Sequence, residues 1–134
     1  SVPRHSSLLV KQCMELIQSR IADRNLDLNM VCDTLNVNRS TLTRLFKAKV
    51  GVSPGRYIRD RRLQAAQILL QGTNLPVGEI AGKCGFPELT SFIRFIRENL
   101  GCSPLVYRGK TQKKLRFDIG QNHTIPKKNR RMNL

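Results

Sequence analysis

Apolar residues recur through most of this chain at the spacing of one helix face. Leu8, Leu9, Cys13, Leu16, Ile17 and Ile21 predict a first helix from about 7 to 23, which Asn25 and Asp27 interrupt. Leu28, Val31, Cys32 and Leu35 line a short helix over 28–35, with Asp27 placed to cap it. Asn38 can cap the next helix, from about 39 to 49, which turns Leu42, Leu45 and Phe46 inward and stops at Gly51. Ser53 caps again, and Pro54 suits a first helical position. The helix that follows, roughly 54–71, carries Tyr57, Ile58, Leu63, Ala66, Ile68, Leu69 and Leu70 and closes at Gly72. No alternating strand pattern longer than a few residues intervenes, so the expected fold class is all-α.

The pattern then restarts. Val77, Ile80, Ala81 and Cys84 make a short helix face, and Gly85-Phe86-Pro87 a turn. A helix from about 88 to 99 follows with Phe92, Phe95 and Ile96 inward; Gly101 ends it and Ser103-Pro104 opens a short helix through about Arg108. Residues 51–57 read GVSPGRY and residues 101–107 read GCSPLVY, an offset of 50. The same offset pairs Leu42 with Phe92, Arg44 with Arg94, Phe46 with Ile96 and Lys47 with Arg97; an offset of 49 pairs Val31 with Ile80 and Val37 with Phe86. A unit of short helix, turn and longer helix is therefore duplicated. The expected architecture is two helix-turn-helix subdomains joined by a long linker helix, about seven helices in all. Residues 1–27 form an N-terminal helix packing on the first subdomain, 28–55 the first helix-turn-helix and 54–72 the linker helix. Residues 73–108 form the second helix-turn-helix, and 109–134 a basic flexible tail.

In such a unit the second helix can enter a DNA major groove, its first turn nearest the base edges. One face must be apolar to dock on the domain, and the other must carry donors. In the first copy Arg39, Ser40, Thr43 and Arg44 are candidates to read bases, with Lys47 one turn further on for phosphate. The second copy offers Leu89, Thr90, Ile93 and Arg94, with Arg97 for phosphate. Leu89 and Ile93 can touch thymine methyls but supply no hydrogen bond, so the first unit is expected to read more sequence. The linker's roughly 17 residues span about 25 Å, and adjacent major-groove sites on one face lie about 34 Å apart. One chain can thus address two grooves, as an asymmetric site. Arg56, Arg59, Arg61 and Arg62 on the linker are further phosphate candidates.

Charge agrees with this. The 134 residues hold 24 Lys and Arg against 9 Asp and Glu, a net charge of +15 and a pI near 10.7, which points to a polyanion partner. Residues 109–134 alone carry eight basic residues against Asp118, and read as a flexible polyelectrolyte or an arm on the DNA backbone. No apolar run approaches the roughly 20 residues of a membrane span and no signal segment is visible, so a cytoplasmic location and no membrane partner are expected. Cys13, Cys32, Cys84 and Cys102 form no CxxC pair, and with only His5 and His123 they offer no zinc spacing. Three of them sit in helical register among apolar neighbours and read as small core residues. No nucleophile stands with a histidine or carboxylate partner, so neither catalysis, metal nor cofactor is expected. Charge alone also fits a non-specific architectural nucleic-acid binder. Five Phe, two Tyr and no Trp, mostly on apolar faces, make a poor stacking platform for single strands.

The stretch 28–108 resembles the DNA-binding domain of AraC/XylS-type bacterial transcription regulators. LNVNRSTLTRLFKAKVGVSPGRYIRDRRLQAAQILL and VGEIAGKCGFPELTSFIRFIRENLGCSPLVYR carry the likeness. The second segment is the more specific, with its Ile-Ala pair, Gly-Phe turn, Phe-x-Arg, Gly-x-Ser-Pro and Tyr-Arg. The resemblance implies binding to double-stranded promoter DNA, recruitment of RNA polymerase and an activator's role. It places base reading on Arg39, Ser40, Thr43, Arg44, Leu89, Thr90, Ile93 and Arg94, and a phosphate contact on Arg62. Ile93 stands where a small polar residue is common in the family, and Ile96 where Phe is common. Most members add a sensing domain, for which residues 1–27 are too short; the chain is expected to be either the C-terminal piece of a larger regulator, which the non-Met start favours, or similar to the small stand-alone members.

Overall fold

The structure, a computed structural model, describes residues 4–122, and side chains from 6 to 113. Seven helices occupy the described residues, with no strand: α1 (Arg4–Ser19), α2 (Leu28–Leu35), α3 (Arg39–Val50), α4 (Pro54–Gly72), α5 (Val77–Lys83), α6 (Leu89–Leu100) and α7 (Pro104–Asn122).

Local chemistry sets most boundaries. The Asp27 carboxylate accepts the Met30 N–H at 2.8 Å, the Asn38 side-chain oxygen the Thr41 N–H at 2.7 Å, and the Ser53 and Ser103 hydroxyls the Arg56 and Val106 N–H groups, each at 3.2 Å. Each satisfies an N-terminal donor left without a helical partner. Gly51 and Gly101 end α3 and α6 at φ 95° and 76°, where a side chain would be strained. The first helix ends at Ser19, four residues short of the expected end. There the Ser19 hydroxyl donates to the Leu16 carbonyl at 2.9 Å, and Asp23 and Leu26 close turns onto the Arg20 and Asp23 carbonyls.

Two cores result. Val10, Cys13 and Ile17 of α1 pack with Leu26, Val31, Cys32, Leu42, Phe46 and Ile58. Ala66 and Leu70 pack with Ile80, Ala81, Cys84, Phe92 and Ile96. The linker helix α4 therefore belongs to both, giving Ile58 to one core and Ala66 and Leu70 to the other. Leu63, Ala66 and Leu70 repeat on α4 the spacing of Val10, Cys13 and Ile17 on α1. So α4 is the last helix of the first unit and the first helix of the second. The duplication reaches the level of single residues: from 38 to 57 and from 88 to 107, buried, half-buried and exposed positions follow in the same order without a mismatch.

The last helix departs from expectation. It continues past Arg108 to Asn122, through residues whose charge predicted a flexible tail from 109. Its hold on α4 is polar, which apolar periodicity does not register. The Arg108 guanidinium donates to the Leu70 and Leu75 carbonyls at 3.3 and 2.6 Å, and the Gln112 amide to the Leu70 and Thr73 carbonyls at 3.3 and 3.0 Å. Gln67 and Gln71 donate to the Tyr107 hydroxyl at 3.1 and 2.6 Å. The rest of the expected tail, 123–134 with Lys127, Lys128, Arg130 and Arg131, lies outside the described residues.

Three of the four cysteines are buried, as small core residues, and Cys102 is half-buried. Burial pushes the Cys13 and Cys84 thiols up to about 11, with Cys32 adding to the rise at Cys13 and Arg62 opposing it at Cys84. Between about pH 9 and 11 the folded chain favours the neutral thiol where the unfolded chain favours the thiolate. Stability on their account is flat below about pH 9 and declines from there to about pH 11, where folded thiols ionise too. Urea midpoints measured from pH 8 to 11 should fall less in Cys13→Ala and Cys84→Ala chains than in the parent. At pH 8 a thiol reagent should label Cys102 first and Cys13 and Cys84 only as fast as the chain unfolds.

Candidate nucleic-acid interface

The first candidate surface is built on α3. Asn38, Arg39, Ser40, Thr43, Arg44 and Lys47 line one open concavity. Its polarity follows from docking: Leu42 and Phe46 are buried on the opposite face, and Phe46 meets Tyr57 edge-on at 5.4 Å between ring centres. The helix carries Arg39, Arg44, Lys47 and Lys49 and no acid, a local charge of +4. Arg44 and Lys47 are exposed, and neither makes an ion pair among the described residues. Ser40 donates to the Asn38 side chain at 3.2 Å, and Arg39 to Asn29 of α2 at 2.9 Å. Asn29 escaped the sequence reading because nothing in a linear pattern marks a contact between two helices. A guanidinium has five N–H donors, so Arg39 can keep this bond and still meet a base.

The second surface, on α6, is chemically different. Leu89, Thr90, Arg94 and Arg97 are exposed and Ile93 is half-buried, at the positions that Arg39, Ser40, Arg44, Lys47 and Thr43 hold on α3. Arg94 and Arg97 against Glu98 leave a local charge of +1. Glu88 precedes the helix without a capping bond from its side chain. Phe86 and Phe95 pack at 4.9 Å between ring centres, and Phe86 and Phe92 at 5.4 Å, fixing the turn that leads into the helix.

One expected site residue is placed elsewhere. Arg62 does not face outward to a phosphate. Its guanidinium turns into the molecule and donates to the Ile21 and Asp23 carbonyls at 3.4 and 2.7 Å. Burial draws its pKa below the ordinary guanidinium value, with Cys84 and Asp23 opposing that shift. Gly85, at φ 84°, lies against it; a Cβ there would stand 2.6 Å from an Arg62 nitrogen and 2.7 Å from the Ile21 carbonyl oxygen. The other linker arginines differ. Arg59 is exposed, Arg56 reaches Asp60 at 3.8 Å, and Arg61 lies 5.5 Å from the Tyr57 ring centre. Gln112 stands 50 positions after Arg62 and bonds to the Leu70 carbonyl in the last turn of α4 and the Thr73 carbonyl just beyond it, as Arg62 bonds to carbonyls beyond α1. The repeat offset pairs the two positions, but it does not say which carbonyls either side chain will reach.

The family pattern described as "Helix-turn-helix domain" matches residues 31–110. The chain belongs to the AraC/XylS family of helix-turn-helix regulators. It is 27% identical over 106 residues to the arabinose operon regulatory protein of Escherichia coli K12, covering 79% of this chain and 36% of that protein. With the xylose operon regulatory protein of the same strain it shares 31% over 99 residues, 74% of this chain and 25% of that one. It thus spans about a third or less of the curated relatives it matches. The C-terminal domain of AraT, a response regulator from Geobacillus stearothermophilus, superposes with a TM-score of 0.73 at 30% identity, covering 76% of this chain and 84% of that one. The DNA-binding domain of AdpA, a global transcriptional factor solved with a target DNA, gives 0.72 at 25% identity over 78% and 94% of the two chains.

Within this family member, Arg62 and Gly85 are structural. Gly85→Ala should cost about 3 kcal/mol, from positive φ plus the clash, while Gly51→Ala, with nothing near its Cβ, should cost about 1 kcal/mol. Arg62→Met should lose about 2 kcal/mol by abandoning two carbonyls, and Arg44→Ala less than about 0.5 kcal/mol. Urea unfolding followed by circular dichroism measures all four.

Proposed function

We propose that this chain is the DNA-binding part of a bacterial transcription activator that reads two adjacent major grooves of a promoter in sequence-specific fashion. The observation that carries this reading is the pair of recognition helices on one shared linker helix, in equivalent settings residue for residue, each with an apolar face docked and arginines on the outward face. Family membership supports it, as does the relative solved with its target DNA. Arg39, Ser40, Thr43 and Arg44 read bases in one groove, and Leu89, Thr90, Ile93 and Arg94 in the next. Lys47 and Arg97 grip phosphate. The linker helix has 19 residues, about 28 Å of rise, close to the roughly 34 Å between neighbouring grooves. In this role the chain works in the cytoplasm, at the nucleoid, recruiting RNA polymerase under the control of a sensing domain outside these residues. Among the described residues no helix is long and apolar enough to cross a membrane.

Selection from a random duplex pool at about 0.15 M salt tests the reading, since backbone-only binding is weak there. The expected product is an asymmetric motif of two boxes about one helical turn apart. Arg44→Ala should cost about 1–3 kcal/mol on that motif and relax one base position; Lys47→Ala should weaken all duplexes alike and lower the salt slope by about one. No enrichment, with binding that simply fades as salt rises, would leave the non-specific architectural binder that the charge of +15 also fits.

A further inference from the structure

We propose that the second unit recognises thymine by its C5 methyl group, with Leu89 and Ile93 as the specificity-determining side chains. This rests on the two-headed DNA-binding reading above. The equivalence of the two units is what makes the substitution legible. Where α3 presents the guanidinium of Arg39 and the hydroxyl of Thr43, α6 presents the isobutyl group of Leu89 and the sec-butyl group of Ile93. The surrounding burial is the same in both copies, so these aliphatic groups face where the donors of α3 face, not into the core.

Leu89 is 44% exposed although two other large residues of its helix, Phe92 and Ile96, are fully buried. Positions 89 and 93 are one turn apart on one face, flanked by Thr90 and Arg94. In the major groove every base pair presents hydrogen-bonding atoms, but only thymine presents a methyl. An exposed leucine with a half-buried isoleucine beside it on the first turns of a recognition helix has one complementary partner there. Hydrogen-bond readout by this helix falls to Thr90 and Arg94. The low local charge of α6 fits the same division: the first unit holds the polyanion and reads donors and acceptors, and the second discriminates by apolar contact.

The test uses the full chain and the duplex it selects. The second unit's box is the one whose preference Arg94→Ala relaxes and Arg44→Ala leaves unchanged. Each thymine is replaced in turn by uracil, which removes the methyl and keeps pairing and O4. At one or two positions of that box uracil should weaken binding about fourfold, the value of one buried methyl. Replacing the contacted T·A pair by C·G should weaken binding more than replacing it by 5-methylcytosine·G. In Leu89→Ala or Ile93→Val chains, whose folding is checked by urea midpoint, the penalty for uracil should shrink to within about twofold at the position each contacts. The proposal is overturned if uracil is neutral throughout that box while base-pair changes there are not, if the variants keep the full uracil penalty, or if selection yields only the first unit's box. Selection of no box at all is a separate failure, that of the two-headed reading itself, and the proposal falls with it.

Discussion

The Arg62 guanidinium ties three parts of the chain together at one point. It comes from the middle of the linker helix, donates to two carbonyls in the loop after α1, and is covered by the backbone of Gly85 in the turn before α6. A cation placed there gives up water, and burial draws its pKa down accordingly. It is held because both carbonyls accept from it, and a buried donor with partners is stable where an orphan is not. Gly85 has no Cβ to keep the chain away, so the second unit closes onto the loop of the first. This contact joins the shared helix in setting the second unit against the first.

Sharing α4 between units has a second consequence. A free linker would let two small domains tumble independently. Here Ile58 is locked into one core and Ala66 and Leu70 into the other, two or three helical turns along the same rod. Neither core is large, and each is completed by the helix that also completes its neighbour. The arrangement repeats once more at the end of the second unit, where Arg108 and Gln112 of α7 grip carbonyls in the last turn of α4 and just beyond it. Position 112 in that role corresponds to position 62 in the first unit, with an amide in place of a guanidinium.

The two units share a scaffold but present different chemistry. On α3 four cations and no acid surround short hydroxyl side chains; on α6 two cations face one acid, with aliphatic groups on the same side. Identical burial with different exposed side chains is what a duplicated scaffold looks like after its two surfaces have diverged. The fold constrains only the inward positions, because only those are packed.

How far the sequence could be read follows from which forces act locally. Helix starts at Asp27, Asn38, Ser53 and Ser103 and stops at Gly51 and Gly101 were legible, since a cap bond or a positive φ involves residues within one turn. The outward faces of α3 and α6 were legible too, because the buried face of each is defined by its apolar period. The end of α1, the length of α7, the Asn29–Arg39 contact and the inward turn of Arg62 were not. Each rests on a polar side chain meeting a turn, a neighbouring residue or a distant carbonyl, and nothing in a chain's order of residues says which carbonyl will lie within reach. By itself the sequence determined an all-helical, duplicated, basic protein with two candidate recognition helices. Only the tertiary structure decided which arginine reaches outward and which one holds the two halves together.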